Sequence, residues 1–347
     1  MADAVLDLII IGAGPAGISA AYEAKQHGLS YVVIEKGLIG NTIYNYPVGL
    51  TVFSTVNELE ITEGELKPAR EKPTREELLS YYVRFVLEHG LNIKTETEVL
   101  DVMRLPDANA LLMGELSQRA FEVITTGGAF FTRNVLFAIG SMDYPRKLNV
   151  KGEELSKVYD HFRETYPWVK KRALIVGGGN SAGEAALFLA QEGADTTLAI
   201  FRGDWENNDP KQGCIKYWVK QPLENELKEN CLKLFFLGKV IEIREGEVEL
   251  ESENGDCVIL PNDVVFVLIG SDADLTVLKN LGVEITKGKG GDVPVYDPET
   301  FETNVTGVYV AGHFTNQRHI KGAIDAPKAM IPILKKKLTA KNAKETK

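Results

Sequence analysis

The stretch Val5-Leu6-Asp7-Leu8-Ile9-Ile10-Ile11-Gly12-Ala13-Gly14-Pro15-Ala16-Gly17 decides the fold. Its first seven residues are apolar apart from Asp7, and three glycines follow within six positions. Ile18 to His27 then reads as a helix stopped by Gly28, and Tyr31-Val32-Val33-Ile34-Glu35 is a second apolar run. Strand, glycine turn, helix and strand make a β-α-β unit. In such a unit Gly12 permits the tight turn and Gly14 lets the backbone approach a pyrophosphate. Gly17 lets the helix pack closely on the strand. The helix entered through Pro15 and Ala16 presents free N–H groups and a partial positive charge to a diphosphate. Glu35 ends the second strand, where a carboxylate accepts hydrogen bonds from adenosine ribose hydroxyls and repels a 2′-phosphate.

The same grammar returns about 165 residues later, in Arg172 to Val176, Gly177-Gly178-Gly179-Asn180-Ser181-Ala182 and Thr196 to Phe201. That period is too long for a solenoid and suits two nucleotide-binding domains. Gly177, Gly179 and Ala182 take the three glycine roles, with Asn180 and Ser181 at the helix entry. The second strand ends at Phe201-Arg202, without a carboxylate in the ribose position. A guanidinium there suits the 2′-phosphate of NADPH, although Asp204 close behind offers it a competing partner. Acid for one ribose and base for the other is the layout of a pyridine-nucleotide–flavin reductase, with FAD in the first domain and NADPH in the second. The expected fold is α/β, two Rossmann-like three-layer dinucleotide-binding domains with the NADPH domain inserted into the FAD domain. The expected bounds are 1–153 with 283–347 for FAD and 154–282 for NADPH.

Between the two units, Thr74 to His89 reads as a capped helix, with Glu77 three residues after Thr74 and Gly90 past its end. Phe121 to Thr126 and Phe130 to Ile139 flank a Gly127-Gly128 turn as antiparallel strands, and Gly140 closes the module. Val240 to Glu251 and Cys257 to Ile269 repeat that pattern about Asn254-Gly255, a strong hairpin signal, and end at Gly270. A last strand runs from Val305 to His313 through Ala311-Gly312. The lysine-rich tail from Lys335 to Lys347 reads as a solvated, frayed end.

With 347 residues, 44% of them hydrophobic and 25% charged, the chain can bury real cores, and disorder is excluded. A net charge of −10 repels phosphate backbones and anionic lipid, so neither nucleic acid nor membrane is an expected partner. No apolar run approaches the ~18–20 residues that span a bilayer. Cys214, Cys231 and Cys257 are odd in number and form no C-x-x-C, which indicates free thiols in a cytoplasmic protein. Cys214 lies between Lys211 and Lys216, whose charges lower a thiol pKa, and is a candidate nucleophile. Cys231 and Cys257 stand in apolar strand-like contexts and read as packed.

The glycine signatures, Gly140 and Gly270 at strand ends, and Val308-Tyr309-Val310-Ala311-Gly312 resemble the thioredoxin-reductase-like flavoproteins. Ile34-Glu35-Lys36-Gly37, Ile43-Tyr44-Asn45-Tyr46-Pro47 and Phe53-Ser54-Thr55 resemble, more closely, the bacillithiol-disulfide reductase (YpdA) family. The resemblance spans Asp7 to Gly312. It implies an FAD-containing, NADPH-oxidising homodimer, with Lys36, Asn45, Tyr46 and Gly312 among the FAD-binding residues.

Two departures bear on chemistry. Thioredoxin reductases carry a C-x-x-C before the second glycine motif, and Tyr159 to Trp168 holds no cysteine here. The bacillithiol-disulfide reductases have a cysteine where this chain has Ala16, and alanine cannot attack a disulfide. His313 follows Gly312, where thioredoxin reductases use an aspartate on the FAD ribityl chain. It is a candidate to hydrogen-bond the flavin or move a proton, with His319 and Lys321 nearby. Tyr44, Tyr46 and Phe53 serve either the flavin or the core. His161, Phe162 and Trp168 do not match the monooxygenase fingerprint. The expected function is electron transfer from NADPH through FAD to a small-molecule or small redox-protein acceptor. A ferredoxin- or flavodoxin-NADP reductase, and a flavin-binding redox sensor with little turnover, are the alternatives.

Overall fold

A computed structural model describes residues 5–105, 120–207, 209, 215–288 and 291–345. The chain divides into one unit of Met1–Asp143 with Asp272–Lys347 and a second of Tyr144–Ser271. The first begins with β1 (Leu8–Ile11), α1 (Pro15–Gln26), β2 (Tyr31–Ile34), α2 (Asn41–Tyr44), α3 (Val56–Leu59), α4 (Arg75–Glu88) and β3 (Ile93–Lys94). Then come β4 (Val99–Arg104), β5 (Phe121–Thr125), β6 (Gly128–Thr132) and β7 (Val135–Phe137). The second holds β8 (Tyr144–Pro145), β9 (Val158–Tyr159), β10 (Arg172–Val176), α5 (Asn180–Gln191), β11 (Asp195–Ile200), α6 (Arg202–Glu206) and α7 (Tyr217–Lys228). It continues with β12 (Leu232–Ile243), β13 (Glu247–Ser252), β14 (Cys257–Pro261) and β15 (Val264–Val267). Past β16 (Ser271–Asp272) the chain returns to the first unit with α8 (Thr276–Asn280), β17 (Ile285–Gly288), β18 (Gly291–Pro294), β19 (Val308–Val310) and α9 (Ile320–Glu345).

In the first unit the parallel sheet has the order β19-β7-β1-β2-β3. Alternate residues of its strands enter two different cores, as the period of two requires. Leu8, Ile10 and Val33 pack with Ile18 of α1, Tyr82 of α4 and Ile331 of α9. Ile9, Ile11, Val32 and Ile34 pack with Val102, Phe121 and Val123 of the three-stranded β4-β5-β6 sheet. These are the three layers the sequence indicates. Thr74 and Glu77 form the expected capping box on α4, Thr74 Oγ1 accepting from the Glu77 N–H at 3.2 Å and Glu77 accepting from the Thr74 N–H at 2.8 Å.

The second unit repeats the plan with the order β14-β13-β12-β11-β10-β15-β9. Ala173 and Ile175 face α5 and α7, where Gly183 leaves room for Val219 and Leu223. Leu174 and Val176 face the opposite way, toward Leu237, Val240, Val248 and Leu250.

Several expectations are corrected. The unit boundaries fall earlier than 153 and 282, because Leu148 and Val150 pack on the second unit's core while Leu275 and Leu278 are buried in the first. The run from Phe130 to Ile139 is two strands in two sheets. Thr132 and Asn134 divide it, the Thr132 hydroxyl donating to the Asn134 carbonyl at 2.9 Å and the Asn134 amide to that of Asp7 at 3.0 Å. Val240 to Glu251 belongs to a hairpin of its own, β12 with β13, and Asn262 separates β14 from the parallel β15. The hairpin across Asn254-Gly255 is present, with Glu251 opposite Cys257. The tail does not fray at Lys335, since α9 runs to Glu345 with Leu334 and Leu338 buried. No described helix is long and apolar enough to cross a membrane.

The Glu184 side chain, on α5, has no hydrogen bond or ion pair among the described residues, and burial pushes its carboxyl up to about 7 from an ordinary 4.5. Its contribution to stability is complete below the unfolded value and is lost as pH rises through the folded one. Glu184→Gln is expected to raise stability at pH 8 by roughly 2 kcal/mol, allowing for water around a half-buried group. Melting curves should show little effect at pH 5.

Candidate functional site

The first glycine turn lies at the carboxyl ends of β1, β2, β7 and β19, beside the point where the strand order reverses. Ligands of open α/β sheets bind at such a crevice. The Gly12 N–H donates to Ile34 at 2.8 Å and the Ala138 N–H to Ile11 at 2.8 Å, so the strand ends are cross-tied. Gly12 has φ +106°, and a Cβ there would lie 2.5 Å from the Ala138 carbonyl oxygen. A Cβ on Gly17 would penetrate the Gly12 carbonyl. Gly14 differs, because an added Cβ meets nothing within 4 Å and its backbone is extended. Backbone packing thus explains Gly12 and Gly17, while Gly14 borders open space at the N-terminus of α1, as an approaching diphosphate requires.

Glu35 is buried, and both of its oxygens serve the turn. Oε2 accepts from the Ala13 N–H and Oε1 from the Gly37 N–H, each at 2.7 Å. Lone pairs remain for ribose hydroxyls. Lys36 pairs with Asp143, which holds its ammonium pKa above the ordinary value against the opposing effect of burial. Asn45 is exposed at the end of α2, and Tyr46 packs partly on the core. The Tyr44 carbonyl accepts from the buried Arg75 at 2.5 Å, while Lys72 lies 3.4 Å from the centre of the Phe53 ring.

Gly140 and Gly312 have φ of +73° and +102°, and a Cβ on Gly312 would stand 3.3 Å from that of Ala16. Position 16 is therefore packed directly against the glycine that ends the last strand. His313 Nδ1 lies 2.6 Å from Ser141 Oγ. The residue is exposed, yet desolvation and then the neighbouring Arg318 and His319 charges hold its pKa below the ordinary 6.5. The folded state thus resists a proton that the unfolded chain accepts, and stability should fall as pH drops through the ordinary histidine range toward the depressed value. His313→Asn is expected to flatten that slope in thermal melts between pH 5 and 7. Beyond it, the Gln317 side-chain oxygen is buried without a hydrogen-bond partner among the described residues. It is an acceptor available to a ligand N–H.

In the second unit a Cβ on Gly177 would penetrate the Leu268 carbonyl, whereas Gly179 borders open space. This repeats the division of labour between Gly12 and Gly14. The Asp204 carboxylate sits where a Gly178 side chain would be. Asn180 Oδ1 accepts from the Lys216 N–H at 2.8 Å, Ser181 is exposed and Ala182 is buried. Gly270, with φ +95°, accepts from the Arg146 N–H at 2.9 Å.

Arg202 opens α6, two residues past the end of β11, and its guanidinium is engaged by carboxylates that the sequence did not pair with it. Nε donates to Glu253 Oε2 at 2.7 Å, Nη2 to Glu253 Oε1, and Nη1 to Glu206 at 3.2 Å. No local pattern in the sequence links Arg202 to Glu253, 51 residues away. Ser141 and Gln317 were missed for the same reason.

Cys214 lies outside the described residues. Cys231 and Cys257 are exposed, contrary to the packed reading. The first follows the end of α7, and the second opens the outer strand of a hairpin whose residues alternate toward solvent.

Comparison with known proteins agrees with this geometry. Residues 9–312 match the pyridine nucleotide-disulphide oxidoreductase family. Bacilliredoxin reductase Bdr of Bacillus subtilis is 35% identical over 304 residues, covering 88% of each chain. The bacillithiol disulfide reductase Bdr (YpdA) structure from Staphylococcus aureus superposes with a TM-score of 0.86 at 31% identity, covering 97% of this chain and 99% of that one. A ferredoxin–NADP reductase of Ignicoccus hospitalis is 27% identical over 315 residues, 89% of this chain and 90% of its own. The family implies FAD and NAD(P)H, and the two glycine cradles with Glu35 fit adenine dinucleotides. The chain belongs to the pyridine nucleotide-disulphide oxidoreductases, flavoprotein enzymes, and among them to the Bdr (YpdA) family.

Proposed function

We propose that the chain carries electrons from NADPH through FAD to a small disulfide or comparable acceptor, with no cysteine relay at position 16. The observation that carries this reading is Ala16, a buried methyl group packed against Gly312 at the mouth of the first cradle. FAD, when bound, accepts a hydride from the nicotinamide and passes two electrons onward. The chain's own residues bind and orient. Gly12, Gly14 and Gly17 with the α1 N-terminus would take the diphosphate, and Glu35 the ribose. Gly140, Gly312, His313 and Gln317 would line the remainder of the cofactor. His313 is held neutral and is positioned by Ser141, which suits it to a hydrogen-bonding role. In the second unit Gly177, Gly179 and the start of α5 would take the NADPH diphosphate, with Arg202 the group to meet a 2′-phosphate. The working assembly is a homodimer, as the resemblance implies.

A one-electron protein carrier is the second reading, favoured by the match to a ferredoxin–NADP reductase over 89% of this chain. Anaerobic titration with NADPH should bleach the flavin, and acceptors are then added separately. Reoxidation by a low-molecular-weight disulfide supports the first reading. Reoxidation only by a reducible iron–sulfur protein supports the second. A bleached flavin that neither acceptor reoxidises would overturn both.

A further inference from the structure

We propose that Glu253 sets how strongly the second unit distinguishes NADPH from NADH, by holding Arg202 in a carboxylate clamp. The inference rests on the reading of this unit as the nicotinamide-dinucleotide domain. All three guanidinium nitrogens of Arg202 are engaged, Nε and Nη2 with the two oxygens of Glu253 and Nη1 with Glu206. The guanidinium also lies over the Phe236 ring, 3.8 Å from its centre. Phe236 pairs with Ile200, the last residue of β11, so the stacking platform is the neighbouring strand at the ribose position. The Glu253 N–H in turn donates to the Phe236 carbonyl at 3.1 Å. Guanidinium, ring and carboxylate are therefore fixed to one another through the backbone of β12, and the clamp is more than a passing surface rotamer pair.

The chemistry of the two dinucleotides separates at this clamp. A 2′-phosphate is a dianion that needs the guanidinium donors, so it must displace a bidentate carboxylate and then sit beside it. A ribose diol is a donor pair and meets acceptor oxygens already in place. Nearby charge points the same way, since Glu206 of α6 and Glu253 of the turn after β13 both pair with the one arginine. The ion pair holds the Glu253 carboxyl below its ordinary pKa, so it stays charged at neutral pH. Arg202 alone predicts strong NADPH selectivity. The clamp reduces it to less than about tenfold, roughly the worth of one charged hydrogen bond.

Glu253→Gln keeps the shape of the side chain and removes its charge. Calorimetric titration of the full-length protein with 2′,5′-ADP and with 5′-AMP reads the effect without turnover. Glu253→Gln is expected to tighten 2′,5′-ADP about tenfold and to leave 5′-AMP unchanged or slightly weaker. Arg202→Ala should weaken 2′,5′-ADP by a similar factor. If Arg202→Ala weakens 2′,5′-ADP while Glu253→Gln does not tighten it, the clamp is overturned and the cofactor reading stands. If neither probe binds the wild type, the cofactor reading itself has failed.

Discussion

Gly14→Trp is expected to give a folded but colourless protein, with FAD content reduced at least a hundredfold. The backbone at Gly14 is extended, with φ −78° and ψ −175°, a conformation any residue adopts. A Cβ there meets nothing, so the substitution does not disturb the packing of α1 on β1. What an indole does fill is the open space before the helix N-terminus, where a diphosphate would draw on the free N–H groups. Absorbance near 450 nm after denaturation, together with circular dichroism, separates loss of cofactor from loss of fold. Gly17→Val provides the contrast. Its side chain would collide with the Gly12 carbonyl, and it should destabilise the unit by about 3 kcal/mol or more whether or not FAD is present. If Gly14→Trp remains fully yellow, the first cradle is not the flavin's diphosphate site.

The second large effect is one that should fail to occur. A variant carrying Cys214→Ser, Cys231→Ser and Cys257→Ser is expected to retain most of its NADPH-dependent reduction of artificial acceptors, within about twofold, because hydride transfer into FAD needs no sulfur. Ala16 has no thiol to offer at the first cradle, and Cys231 and Cys257 are exposed in the second unit. Stopped-flow spectra of the wild type should accordingly show no thiolate–flavin charge-transfer band. Collapse of turnover in the sulfur-free protein, with flavin reduction still fast, would identify a relocated nucleophile. Cys214, between Lys211 and Lys216, is then the residue to restore first.

Much of the first cradle was legible because its information is local. Gly12, Gly14, Gly17 and Glu35 fall within a single β-α-β unit, and their spacing constrains backbone geometry directly. Thr74 and Glu77 announced the start of α4 for the same reason. Strand ends were less legible where an asparagine turned the chain. Asn134 and Asn262 do this through side-chain bonds to backbone carbonyls, and apolar periodicity runs on past both. The Glu253 partner of Arg202 was invisible because it reaches the guanidinium only once β12 and β13 are paired. The exposure of Cys231 and Cys257 likewise depends on tertiary surroundings rather than on their apolar neighbours in sequence.

The edge position of β19 and the docking of α9 have a consequence for synthesis. Val310 pairs with Phe137, and the Ser19 hydroxyl donates to the Ile324 carbonyl at 2.7 Å across 305 residues of chain. On a ribosome the first cradle is thus made early and completed late. About 170 residues separate Phe137 from Val308, which is roughly 8–34 s of translation at about 5–20 residues per second. During that interval the β7 edge and the apolar face of α1 await their partners, while the inserted unit has all of its own strands to hand. A holdase that shields Leu136 and Ala20, or early capture of the flavin, would protect the nascent chain in that window. Slowed translation through the inserted unit should therefore lower the yield of yellow protein more than its total amount.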